Sequence, residues 1–150
     1  VNFMTDLPAL RAAREAIVRQ HIYCESHHDV EGAVATFARA SYDVVPLASS
    51  PDAPHTHPTA ADVHEHLSGL LNAFPDLELI ILNLHHADDA VIVEGRMRGT
   101  HSNDWSDLKA TGKTMDMRAA IFYRFEGDQM VNETAYFDMA TMLRQLGVMA

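Results

Sequence analysis

Residues 114–137 read TMDMRAAIFYRFEGDQMVNETAYF, and their period decides the fold class. Met115, Met117, Ala119, Ile121, Tyr123 and Phe125 recur at every second position, which puts their side chains on one face of a β-strand. Glu126-Gly127-Asp128 supplies a hairpin turn, and Met130 to Phe137 is the returning strand. Toward the N-terminus, residues 90–101 alternate too, with Val91, Val93, Met97 and His101 on one face and Glu94, Arg96 and Arg98 on the other. Leu77 to Leu84 is a nearly continuous apolar strand, joined to that one by an Asp88-Asp89 turn.

The first half of the chain has a helical period instead. Leu10, Ala13, Ile17, His21 and Cys24 step by threes and fours, behind a cap at Thr5 or Asp6 with Pro8 in the first turn. Asp29 caps a short second helix that turns Val30, Ala33, Val34 and Phe37 inward. Thr59 and Asp62 form the capping box of a third helix running to Phe74. Between them, Ser41 to Pro46 reads as a short strand, and Pro51, Pro54 and Pro58 make residues 47–58 a loop. Asp138 caps a final helix that Gly147 stops. Val1 to Met4 are set aside as a disordered start or start-site remnant. Helices first and an antiparallel meander second make one α+β domain of 150 residues, with helices on one face of the sheet. Ile80, Leu82 and Leu84 alternate against Leu79 and Ile81, so that strand is apolar on both faces. One helical layer covers one face, so a homodimer is expected to cover the other.

Composition excludes several classes of function. Eleven Lys plus Arg against 21 Asp plus Glu give a formal charge of −10, which disfavours nucleic-acid and anionic-membrane partners. The longest apolar runs, such as Ala119 to Tyr123, are too short to cross a bilayer. No charged segment followed by an apolar one opens the chain, and Cys24 is the single cysteine, so a reducing, cytoplasmic location is expected. Histidine is in surplus, with ten residues that include His55-Thr56-His57 and His64-Glu65-His66.

Six segments carry a family resemblance in order: Ala73-Phe74-Pro75-Asp76, Gly99-Thr100-His101, Ala110-Thr111-Gly112-Lys113, Phe122-Tyr123-Arg124-Phe125-Glu126-Gly127, Ala135-Tyr136-Phe137-Asp138 and Leu143-Arg144-Gln145-Leu146-Gly147. Together the string resembles the SnoaL-like polyketide (ester) cyclases of the nuclear transport factor 2-like superfamily, over residues 10–147. The resemblance implies a cone: a curved antiparallel sheet wrapped round helices in the cystatin-like manner, with an apolar pocket at one end. It also implies a homodimer that works without metal or organic cofactor, closing rings by aldol condensation with an aspartate in the last strand and a histidine in the preceding one. Alignment on the final Leu-Arg-Gln-Leu-Gly places Ala135 and Ile121 at those two positions, and neither can move a proton.

Other residues must then do the chemistry. His101 sits on the Met97 face at a strand end, where an imidazole titrating near neutrality suits acid/base work; the plainer alternative is a histidine bonding loop backbone. Glu133 shares a face with Val131, Ala135 and Phe137, and a carboxylate among apolar groups becomes a stronger base; the alternative is an ion pair with Arg118 or Arg124 at a dimer seam. Met97, Met115, Met117 and Phe137 are expected to line the cone, with Tyr23 and Trp105 as further ligand contacts. His64 and His66 point about 200° apart on a helix and cannot share an ion, so no metal site is expected; His55 and His57 are the only geometric candidates for one. Most histidines are read as surface residues. The expected function is cofactor-independent acid/base catalysis by His101 and Glu133 on a small apolar carbonyl compound. The alternatives are a binding module for an apolar metabolite and a dimerisation domain with a filled interior. Whether both residues face one cavity is the observation that bears on the choice between the first two.

Overall fold

The computed structural model describes residues 6–48 and 50–150; the expectations for Val1–Thr5 lie outside them. Helix α1 (Leu7–Ser26) and helix α2 (Val30–Ala35) form a hairpin, followed by strand β1 (Tyr42–Val44) and helix α3 (Ala60–Ala73). Four long strands come next: β2 (Glu78–His86), β3 (Ala90–Thr100), β4 (Thr114–Glu126) and β5 (Gln129–Phe137). Helix α4 (Met139–Gln145) closes the chain. The molecule is α+β, as expected.

The helix boundaries follow from local chemistry. Asp6, Asp29 and Asp138 each accept a backbone N–H three residues on, and Thr59 and Asp62 complete a reciprocal capping box. At the other end of α4, Gly147 takes φ +73°, while the N–H groups of Gly147 and Val148 return to the carbonyls of Arg144 and Leu143. That pair of bonds satisfies the last turn's free acceptors. Gly127 opens the two-residue turn between β4 and β5 at φ +61°, a conformation glycine adopts without steric cost.

The sheet order is β1-β5-β4-β3-β2. Three pairings are antiparallel, but β1 lies parallel to β5, with Tyr42 beside Glu133. The antiparallel meander read from the second half of the sequence is present as β2–β5, and the parallel β1 added at its edge makes the sheet mixed. Residues 45–47 form one turn of 3-10 helix around Pro46, so β1 ends at Val44.

Two bulges correct the expected alternation. In β2 the register shifts between Ile81 and Asn83, so Leu79, Ile81 and Leu84 all pack inward, and Leu84 does not share a face with Ile80. In β5 the shift leaves Val131 unpaired opposite the Arg124/Phe125 step, so Met130 and Glu133 face inward and Val131 does not. Each extra residue bends its strand and sharpens its twist, which wraps the sheet around α1 and α3.

Two apolar clusters fill the concave side. The larger joins α1, α2 and α3 to the sheet through Val18, Leu67, Val91, Tyr123 and Met130. The smaller joins the end of α3 to α4 through Phe74, Met115, Met117, Met142 and Leu146. The buried Arg14 ties α1 to both hairpin turns, donating from Nε to the Gly127 carbonyl (2.8 Å) and from Nη1 to that of Asp88 (2.9 Å). That end of the sheet is closed. The opposite end is not.

Candidate functional site

At the open end lies a cavity of about 390 Å3 between the helices and the concave face of the sheet. Its walls are Leu67 and Leu70 of α3, Met97 of β3, Met115, Ala119 and Ile121 of β4, Ala135 and Phe137 of β5, and Met139 and Met142 of α4. Trp105 and Leu108, from the loop between β3 and β4, complete the rim. The polar lining is concentrated in Glu25, Tyr42, His66 and Glu133.

His21 organises that polar end from behind. On α1 the inward positions Val18, His21, Ile22 and Glu25 fall one turn apart, so His21 and Glu25 are helical neighbours. The His21 ring is fully buried. Its Nδ1 lies 3.1 Å from the Ala33 carbonyl and 2.8 Å from Thr36 Oγ1, and the Thr36 hydroxyl donates its own hydrogen to that same carbonyl (2.6 Å). Both partners can only accept, so Nδ1 carries a proton. On the other side, Nε2 faces Tyr42 Oη at 2.7 Å, Glu133 Oε2 at 3.0 Å and Glu25 Oε1 at 3.1 Å. The Tyr42 hydroxyl donates to Glu25 (2.9 Å), leaving its oxygen to accept from Nε2–H. With both nitrogens donating, the ring is an imidazolium held between two carboxylates.

The electrostatics agree. Burial works against a charge on His21, but Glu25 and Glu133 outweigh it and raise its pKa to about 10. Burial alone would raise Glu25; the imidazolium and the Tyr42 hydroxyl bring its carboxyl below the usual range instead. Glu133 goes the other way: burial first, then the negative charge of Glu25, push its pKa up against the pull of His21 and Tyr42. The cluster therefore holds one carboxylate that stays ionised and one that takes up a proton readily. The Nε2 approach to Glu133 Oε2 is not aligned as a hydrogen bond, so that buried oxygen is left without a donor. Glu133 owes its position to the sheet: the parallel β1 sets Tyr42 on one side of it, and β4 sets Tyr123 on the other.

Of the ligand contacts expected from sequence, Met97, Trp105, Met115 and Phe137 lie on the cavity, as does Glu133. Met117 is buried in the smaller cluster beside it and is not a wall residue. Tyr23 is a correction: it is 57% exposed on the outer side of α1, stacked on His27 at 3.9 Å. His101 is the larger correction. It is buried against Phe74, and its Nδ1 takes the Thr111 N–H (3.3 Å) at the foot of the loop that carries Trp105. It does not line the cavity, so His101 and Glu133 do not face a common ligand. It behaves as the strand-end histidine of the plainer alternative. The partner Glu133 does have, His21, was visible as a histidine on an apolar helix stripe with a glutamate four residues on.

His55 and His57 go separate ways. His55 bonds Asp43 (2.8 Å), while the His57 ring packs on His66. The donor atoms of His21, Glu25 and Glu133 lie within 4.8 Å of one another, close enough to surround a cation. Such an ion would have to displace the Nε2 proton, which the same two carboxylates hold firmly.

The profile of the SnoaL-like polyketide cyclase family matches residues 15–146. No curated protein matches the sequence. Among solved structures, a putative polyketide cyclase from Acidithiobacillus ferrooxidans is 25% identical, with a TM-score of 0.71 over 92% of this chain and 96% of that one. A putative hydroxylase, AclR from Streptomyces galilaeus, is 20% identical with a TM-score of 0.74 over 93% and 98%. A hypothetical protein with a ketosteroid isomerase-like fold from Catenulispora acidiphila is 14% identical with a TM-score of 0.71 over 88% and 92%. These likenesses agree with the observed fold.

A buried imidazolium has a spectroscopic consequence. Ring 15N NMR at about pH 8 is expected to show both His21 nitrogens protonated, well above the ordinary histidine range. Because its folded pKa lies above the unfolded value of 6.5, the stability it contributes is complete below pH 6.5 and is lost as pH rises toward about 10. A neutral His21 ring at about pH 8 would contradict the assignment.

Proposed function

The chain belongs to the SnoaL-like polyketide cyclase family, and from that premise we propose that it catalyses proton transfer on a small, largely apolar carbonyl compound held in the cavity. The single observation that carries this reading is Glu133: a buried carboxyl whose pKa is raised although His21 Nε2 lies 3.0 Å from its Oε2, on the wall of an apolar cavity. An enolisable substrate would present its α-carbon to Glu133, which removes a proton and later returns it. Desolvation makes the carboxylate a stronger base than it is in water. His21 does not touch the substrate; it holds the charge of the cluster and orients Glu25, Glu133 and Tyr42. The family's usual acid/base positions hold Ala135 and Ile121 here, both on the cavity wall, so the proton-carrying group sits two residues along β5 on the same inner face. That departure also favours a second reading, a non-catalytic module that binds an apolar ligand.

The same proposal takes a second copy of the chain as cover for the convex face of the sheet, where Leu82 and Tyr136 stand 45% and 44% exposed. Sedimentation equilibrium is expected to give a dimer mass that Leu82→Glu reduces; a monomer at micromolar concentration would exclude it.

Catalysis is tested by deuterium exchange at the α-carbon of 2-tetralone, followed by NMR in D2O. Wild type is expected to accelerate exchange, and Glu133→Gln to lower the rate by about 10²- to 10⁴-fold, the range of a lost general base. Binding without exchange in the wild type would support the binding-module reading instead.

A further inference from the structure

His66 is a polar side chain in an apolar wall, and acid/base chemistry at Glu133 leaves it unused. It lies on α3 between Val63 and Leu70, three residues after one and four before the other, so the helix turns it inward with its apolar stripe. Its ring stands edge-on to Tyr42 at 6.0 Å, which places it beside the cluster but outside its hydrogen bonds. On the outer side it packs on the His57 ring at 4.3 Å. No hydrogen bond to another described residue contributes to its electrostatics, and the side chain stands among the residues that line the cavity. Burial, followed by the neighbouring His57, lowers its pKa to about 4, against the pull of Glu25. At neutral pH it is therefore an uncharged imidazole with one N–H to donate and one lone pair to accept.

We infer that His66 is the cavity's recognition residue for an uncharged oxygen, a ketone or hydroxyl that it hydrogen-bonds while the apolar walls hold the rest of the molecule. The inference rests on the cavity being a ligand site and deepens the proposed function by specifying the ligand class. An uncharged oxygen suits an uncharged imidazole. An anionic carboxylate does not fit the same place: His66 offers it no countercharge, and Glu25 and Glu133 line the same polar end. His64, two residues earlier on the outer side of the helix, bonds Glu31 and Ser68 and has no part in the site.

The test compares three probes of one shape by calorimetry at neutral pH: 2-tetralone, tetralin, which lacks the oxygen, and tetralin-2-carboxylate. Wild type is expected to bind 2-tetralone about five- to tenfold more tightly than tetralin, the effect of one hydrogen bond in a desolvated site. The carboxylate is expected to bind more weakly than either. His66→Phe, which keeps a ring of similar size, is expected to bind 2-tetralone and tetralin equally. His66→Gln restores a neutral donor and is expected to recover most of the preference. Unchanged tetralin affinity in both variants shows the cavity to be intact. The inference is overturned if His66→Phe keeps the wild-type preference, if the carboxylate binds most tightly, or if the wild type binds neither neutral probe. Exchange at the α-carbon is a separate readout: binding that follows the expected order without exchange leaves His66 in its role and removes Glu133 from its own.

Discussion

The site depends on one buried charge. Removing an ionised imidazole and two carboxyl groups from water costs several kcal/mol for each ion, and only close, well-directed partners offset that cost. Here the partners come from four elements. The α1–α2 hairpin presents the Ala33 carbonyl and Thr36 hydroxyl to one side of His21, α1 itself supplies Glu25, β1 supplies Tyr42 and β5 supplies Glu133. None of these segments can shift by much without stranding a charge. The fold therefore holds the polar end of the cavity in a fixed arrangement, which is what a proton-transfer site requires.

The sheet makes a second contribution through its irregularities. A regular β5 would place Met130 and Glu133 on opposite faces, one in the core and the other in solvent. The bulge at Val131 brings both inward, so an apolar core residue and a buried carboxyl share a face. The parallel pairing of β1 then sets the Tyr42 phenol next to Glu133. With Ala135 and Ile121 as apolar wall residues, the cavity extends past the cluster into the apolar end of the cone.

Local signals proved legible wherever local chemistry sets the structure. Helix caps at Asp6, Asp29, Thr59 and Asp138 are short-range hydrogen bonds written in adjacent residues, and the alternation of β4 survives because that strand is regular up to Arg124. The bulges at Leu82 and Val131 are not legible in the sequence, since neither bulged strand contains a glycine or proline and each bulge arises from register with a neighbouring strand. The parallel course of β1 is a long-range pairing of the same kind. Tyr23 stands one step off the apolar stripe of α1, and its exposure follows from that step; for His101, periodicity assigns a face but not what packs against it. His101 does lie on the inner side of its strand, yet Phe74 covers it. Glu133 lines the cavity with Ala135 and Phe137, as strand alternation implies, but Val131, ahead of them, is turned away by the bulge. The helical period places His21 on the inner stripe of α1 but cannot reveal its two partners distant in sequence, Tyr42 and Glu133.

The central claim is that the His21 imidazolium sets the basicity of Glu133. It is tested most directly by the pH dependence of kcat/KM for α-proton exchange in wild type and in His21→Gln. The cation lowers the Glu133 pKa, so its removal is expected to move the rising limb of the profile to higher pH while leaving a single-base shape. A profile unchanged in position by His21→Gln would contradict the account.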